Sequence, residues 1–513
     1  MEPPIKTQVE KILDEGSGDH RSVIVRLGDR EENQEPLLRL ATDAIRRRNM
    51  SFSARDVLPE ERREASRSRR RRSSERTRRE WQAAAKTMAA KFPTTPKQAR
   101  AGYLKPLLAV EVVQKAIVQM SASRNGRRPS AVPNFWTSTS VLLDLEKADL
   151  AKLPEELQEF ARGVYPMDVR GVYPNRALRL PRMFEAKNFP PEVLENKVSA
   201  WGVNAIGAMA AWGAYGARGK GVKVGLLDTG VDASHPDLKG KIAAWAEFDE
   251  KGRFVIDSKP HDSDRHGTHC AGIIVGGNNS GQWIGVAPAA KLAVALVLNG
   301  ENGGTDAQVL AGIDWLVEQK VDLISMSIGG LTLDYETPDT YTKAIVTCLR
   351  AGIPVVTAIG NEGNQTTGSP GNDIFAFSVG ATDYRDRPAG FSGGRTHIVR
   401  SSDFIPTENL PLPYYKPEVS APGVAIKSSV PGNDWVAFNG TSMATPHVAG
   451  AMALLLSATS IRKTVAPYER AFLIQNLITG SSEELGEAGQ DHRFGFGRVE
   501  VLRAIGFAKE RGY

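Results

Sequence analysis

Asn439-Gly440-Thr441-Ser442-Met443-Ala444 places one serine hydroxyl among small residues, just ahead of the apolar run Met452-Ala453-Leu454-Leu455-Leu456. A serine is a weak nucleophile at its ordinary pKa; it needs a base to take its proton and donors to hold the oxyanion that its attack creates. Three other places in the chain carry those groups: Asp228, His266 and Asn361. Each has an ordinary structural alternative. Ser442 reads equally as a turn capping a core helix, Asp228 as a cap on the next turn, and Asn361 as a turn residue. His266 and His269 stand three apart and raise a metal site. They lack the His-Glu-x-x-His spacing and an obvious third ligand, so metal is the weaker reading.

The flanking residues predict how these groups are presented. Val222-Lys223-Val224-Gly225-Leu226-Leu227 is a short apolar run of the kind buried on both faces of a parallel sheet, and Asp228 sits at its carboxyl end. Pro354 to Ile359 is a second such strand, with Asn361 just beyond it. His266-Gly267-Thr268-His269-Cys270-Ala271-Gly272 opens a helix, and so does Ser442, where a helix N-terminus adds a favourable dipole. Open α/β sheets bind ligands at the carboxyl ends of their strands, so these positions can share one edge.

Four blocks, in the order Asp, His, Asn, Ser, closely resemble the subtilisin-like serine peptidases. They are Asp228-Thr229-Gly230-Val231-Asp232 with Ser234-His235-Pro236-Asp237-Leu238; His266 to Gly272; Gly360-Asn361-Glu362-Gly363; and Gly440-Thr441-Ser442-Met443-Ala444-Thr445-Pro446-His447. The resemblance covers roughly residues 201 to 505. It implies an α/β fold, a three-layer subtilisin-like domain with a mainly parallel sheet. It also implies a serine endopeptidase: Ser442 attacks, His266 moves the proton, Asp228 orients the imidazole, and Asn361 with the Ser442 N–H holds the oxyanion. No cofactor is required for that chemistry.

The same resemblance places the substrate strand at Leu323 to Gly330. Ser327-Ile328-Gly329 and Ala358-Ile359-Gly360 become the walls of the first specificity pocket, with Gly368 near its floor. The walls carry no charge, which points to apolar or broad preference; Glu362 at the rim is the one group that would favour a basic residue, weakly. A structural calcium is implied at Asp237 and Asn279 with the carbonyls of Gly277, Gly281 and Trp283, against a calcium-free Asn/Gly turn; an amide ligand expected just before Trp201 is not evident. Cys270, inside the His motif as in the proteinase K branch, is expected as a buried thiol near His266, unbridged to Cys348.

A chain of 513 residues exceeds one such domain. The strands at Ser22–Leu27, Thr137–Leu145 and Val169–Arg176, with helices at Leu37–Ile45 and Leu150–Phe160, resemble in pattern the α+β prodomain of subtilisins. The expected organisation is an N-terminal prodomain-like region over 1–183, a linker and maturation region over 184–200, and the peptidase domain over 201–513. The tail Ala177-Leu178-Arg179-Leu180-Pro181 would point at the active site, making the N-terminal region an intramolecular inhibitor, with release by cleavage between about Arg182 and Trp201 or in the arginine run.

An insertion over about 50–130 carries that run, Arg67 to Arg79, followed by helical stretches at Trp81–Phe92 and Leu107–Met120. A solvated linker, an exposed processing loop and a polyanion-binding patch compete for it. A net charge of +6 permits the last, but few aromatics interleave to stack bases, so nucleic acid is the weakest partner and protein or peptide substrate the expected one. Met1 to Asp19 lacks the apolar core of a secretory signal and no run is long enough to span a membrane, so a cytoplasmic, membrane-free protein is expected, with export by a non-standard route as the alternative. A subtilisin-fold protein that binds without turnover is the alternative to an enzyme.

Overall fold

The computed structural model describes residues 5–15, 19–29, 113–115, 133–161, 167–178, 183–186, 193, 198–300, 303–332 and 340–513. The arginine run, the expected helices at Leu37–Ile45 and Trp81–Phe92, and residues 179–182 lie outside them; of Leu107–Met120 only 113–115 are described, as helix. Two compact units emerge. One comprises 1–174 together with 398–414, the other 175–397 and 415–513.

The first unit contains α1 (Ile5–Asp14), β1 (His20–Asp29), β2 (Asn134–Phe135), β3 (Ser140–Glu146), α2 (Lys147–Ala161) and β4 (Met167–Pro174). Its antiparallel sheet has the order β2-β3-β1-β4. In α2, Leu150, Leu153 and Leu157 recur at helical spacing and are buried. Helix α1 was not anticipated: Ile5, Val9, Ile12 and Leu13 recur at helical spacing in a charged stretch, and Val9 and Ile12 are buried. The alternation expected along β1 does not appear in its burial: Val23, Ile24, Val25 and Leu27 are all buried, on both faces of the strand, and Arg26 among them is buried too. Its Nη2 pairs with Asp403 Oδ2 at 2.7 Å and its guanidinium lies 5.0 Å from the centre of the Phe404 ring. Residues 398–414 thus supply a carboxylate and an aromatic face to this buried arginine.

The second unit begins with two short strands, β5 (Ala177–Leu178) and β6 (Phe184–Glu185). It continues with β7 (Lys223–Asp228), β8 (Ile242–Glu247), α3 (His266–Val275), β9 (Lys291–Leu296), β10 (Gly304–Thr305), α4 (Asp306–Glu318), β11 (Leu323–Met326), β12 (Gly330–Thr332), β13 (Val355–Ala358), β14 (Thr367–Ser369), β15 (Phe377–Thr382), β16 (Val419–Pro422), β17 (Ile426–Val430), β18 (Asp434–Asn439) and α5 (Thr441–Ala458). The seven-stranded sheet has the order β16-β15-β13-β11-β7-β9-β8. Every pair in it is parallel. This is the α/β architecture expected. Its strands are apolar along their length because helices cover both faces. The strand order reverses at β7, so Asp228 stands at a topological switch point. Among the described residues, no helix is long and apolar enough to cross a membrane.

Candidate active site

Asp228 ends β7 and His266 begins α3; both are fully buried. Asp228 Oδ1 accepts from the Thr229 N–H at 2.8 Å and faces His266 Nδ1 at 2.6 Å. That bond places the remaining proton on Nδ1 and leaves Nε2 as the basic nitrogen, and Nε2 has no protein partner. The close approach depends on glycine: a Cβ on Gly267 would meet the Gly230 carbonyl oxygen at 2.1 Å, and Gly230 itself has φ +115°. Asp262, which the sequence reading passed over, braces the corner. It accepts from Thr229 Oγ1 at 2.7 Å and from the Thr268 N–H and hydroxyl at 2.7 and 2.5 Å.

Ser442 lies in the first turn of α5, directly after β18. Its hydroxyl donates to the Ser327 carbonyl at 3.5 Å, a long bond that leaves the oxygen weakly engaged, and no bond joins it to His266. Catalytic hydrogen bonds are often loose before substrate arrives. Asn361 Oδ1 accepts from both the Thr441 N–H and hydroxyl at 2.8 Å, which fixes the amide with Nδ2 on the Gly440 side, next to the Ser442 turn. Glu362, expected at a pocket rim, turns its Oε2 back to accept from the Asn361 N–H at 2.9 Å.

Burial alone would depress the His266 imidazolium; the adjacent buried Asp228 carboxylate reverses that and holds its pKa well above the ordinary histidine range. Cys270 is a free buried thiol 3.8 Å from His266 Nδ1, pushed up to about 11 chiefly by burial, and so is no competing nucleophile. His269 is not paired with His266 as a metal ligand. Its Nε2 bonds the Val436 carbonyl at 3.0 Å, and burial lowers it to about 3.

The predicted pocket residues converge. Gly368 on β14 pairs with Leu331 on β12, and its N–H donates to the Ile359 carbonyl at 2.8 Å. A Cβ on Gly360 would stand 3.3 Å from the Gly368 nitrogen, and one on Gly329 would stand 3.5 Å from the Ser369 carbonyl oxygen. Ser327 and Ile328 lead into this cluster from the end of β11, and Ala358 from the end of β13.

The subtilase family model matches residues 219–497. The chain belongs to the subtilase family. It is 38% identical over 287 residues to an intracellular serine protease of Paenibacillus polymyxa, covering 54% of this chain and 79% of that protein. It is 37% identical over 262 residues to subtilisin E of Bacillus subtilis, covering 50% of this chain and 61% of that protein. With subtilisin DY of Bacillus licheniformis the identity is 34% over 295 residues, covering 57% and 93%. Membership makes this subtilase a serine endopeptidase by class.

The loop at which calcium was expected is held by hydrogen bonds. Asp237 is buried, but its Oδ1 accepts from Asn279 N and Nδ2 at 2.8 Å, and its Oδ2 from Trp435 Nε1 at 2.7 Å. The carbonyls of Gly277 and Trp283 accept backbone N–H groups, and Gly281 takes a turn at φ +85°. Calcium needs six to eight converging oxygens, whereas N–H donors occupy this carboxylate. As placed, the residues do not fit an oxygen cage. Trp435→Phe is expected to destabilise the fold by about 1–3 kcal/mol because it strips a partner from a buried carboxylate. A chelator is expected to leave the melting temperature unchanged. Calorimetry of both samples checks this, and a chelator-induced fall of several degrees would contradict it.

Proposed function

We propose that the subtilase cleaves internal peptide bonds with Ser442 as nucleophile, His266 as general base and then acid, Asp228 as the group orienting the imidazole, and Asn361 with the Ser442 N–H as oxyanion donors. In this reading Ser442 Oγ attacks the scissile carbonyl as its proton passes to His266 Nε2. The oxyanion forms between Asn361 Nδ2 and the Ser442 N–H, and His266 returns the proton to the departing amine. Water then repeats the sequence on the acyl-enzyme. The pocket around Gly329, Gly360 and Gly368 takes an uncharged side chain.

The protein is further read as a zymogen inhibited by its own N-terminal region. One observation carries this: two short pieces of the stretch that follows the N-terminal sheet pair as strands within the peptidase unit. Ala177–Leu178 pairs antiparallel with β10, and Phe184–Glu185 pairs antiparallel with β18, the strand that runs into Ser442. Main-chain pairing along a cleft edge is how extended substrates are held. A cytoplasmic site of action is supported by relatives named as intracellular serine proteases in Paenibacillus polymyxa and Bacillus subtilis.

The test is the N-terminus after prolonged incubation. Wild type is expected to give new N-termini between about 182 and 201 or within the arginine run, while Ser442→Ala stays full length; identical full-length bands would remove self-processing. A binding protein without turnover is favoured only by the missing Ser442–His266 bond. The pH profile separates the two. Because the base must be neutral and its pKa is raised, kcat/KM is expected to rise with pH along an acid limb centred above 6.5. A midpoint at or below 6.5 would contradict the buried Asp228–His266 pair as the base.

A further inference from the structure

Asp306 opens α4 and is fully buried, yet it is not the helix cap: Thr305 and Gln308 already form a capping box there. Its carboxylate instead grips Arg176. Arg176 Nε donates to Oδ2 at 2.8 Å, Nη2 donates to Oδ1 at 3.1 Å, and the Arg176 backbone N–H adds a bond to Oδ2 at 3.1 Å. The buried Tyr341 hydroxyl donates to Oδ1, and Ser369 Oγ lies 3.5 Å from Nη2. This is the two-pronged geometry that distinguishes a guanidinium from an ammonium or an amide.

Arg176 sits two residues before Leu178, hence on the same face of the extended segment. Leu178 is buried, its Cδ2 3.9 Å from where a methyl on Gly330 would stand, while Ala177 between them is exposed. The segment thus offers the peptidase unit the sequence Arg, small residue, Leu, in the strand pairing that a substrate would adopt on β10. When it leaves, the Asp306 carboxylate loses the cover and the charge partner that Arg176 gives it while the Tyr341 hydroxyl still faces Oδ1, and a guanidinium arriving in the same strand position regains both prongs.

We infer that Asp306, with Tyr341 and Ser369, forms a selectivity subsite for an arginine two residues before an apolar residue in the substrates of this enzyme. The inference rests on the proposed peptidase reading and names a substrate class for it. The uncharged pocket of Gly329, Gly360 and Gly368 is a different feature, so one cleft combines an apolar preference with a basic one.

The test uses the full chain after its own processing, with quenched fluorescent peptides that carry Arg, citrulline, Gln or Glu two residues before a leucine and are otherwise identical. The expected kcat/KM for Arg exceeds that for citrulline or Gln by about tenfold or more, with Glu poorest. Asp306→Asn is expected to bring the Arg-to-citrulline ratio to within about twofold. Equal values for Arg and citrulline on wild type overturn the inference while leaving the peptidase reading intact, and they require no variant to fold. Hydrolysis of none of the four peptides, on protein that also fails to take a fluorophosphonate on Ser442, overturns the peptidase reading instead and the inference with it.

Discussion

Ser442→Ala is expected to lower the turnover of this subtilase on a peptide substrate by about 10⁶-fold, the size that subtilisin itself shows. The hydroxyl is the only atom lost, and its one hydrogen bond, to the Ser327 carbonyl at 3.5 Å, is weak. The Cβ stays in the first turn of α5, where alanine is a better helix former than serine. Stability should therefore change by no more than about 0.5 kcal/mol. Steady-state kinetics and a thermal melt on the same preparation check both halves. Residual activity above about one per cent of wild type would place the nucleophile elsewhere.

Asp228→Asn is expected to cost about 10⁴-fold in turnover with the fold intact. The 2.6 Å contact between Asp228 Oδ1 and His266 Nδ1 fixes which nitrogen carries the proton, and both groups are fully buried. An amide has the same shape but removes the charge. It lets Nε2 carry the proton, so His266 can no longer accept one from Ser442. The same change removes the influence that raises the His266 pKa, leaving burial to lower it. What activity survives should show an acid limb moved to lower pH. A loss below tenfold, or an unmoved limb, would mean that Asp228 does not set the state of His266.

Ser442, His266, Asp228 and Asn361 were legible in the sequence because each sits in a compact block of small residues whose spacing is dictated by local backbone needs. Gly267 next to His266 is an example, since only glycine fits against Gly230. The parallel sheet was legible for a related reason: strands buried on both faces read as uninterrupted apolar runs, as in Val222 to Leu227. What escaped is what depends on pairs far apart in the chain. Arg26 looked like the polar phase of an alternating strand, and its partner Asp403 lies 377 positions away. Arg176 and Asp306 are 130 apart and belong to no motif. Asp262 looked like loop because its bonds to Thr229 and to the N–H and hydroxyl of Thr268 form only once α3 is docked. The Trp435 bond to Asp237 escaped for the same reason, since it spans 198 positions.

Fluorophosphonate labelling followed by peptide mass spectrometry tests the central claim most directly, because the reagent bonds only to a serine activated by a working base and oxyanion site. The expected result is a single adduct on Ser442, absent from Ser442→Ala and much slower in Asp228→Asn. In wild type it should appear as the chain is cut between about 182 and 201 and Ala177–Leu178 and Phe184–Glu185 leave β10 and β18. Cut, folded protein that takes no label, or an adduct on a serine other than Ser442, would contradict the account.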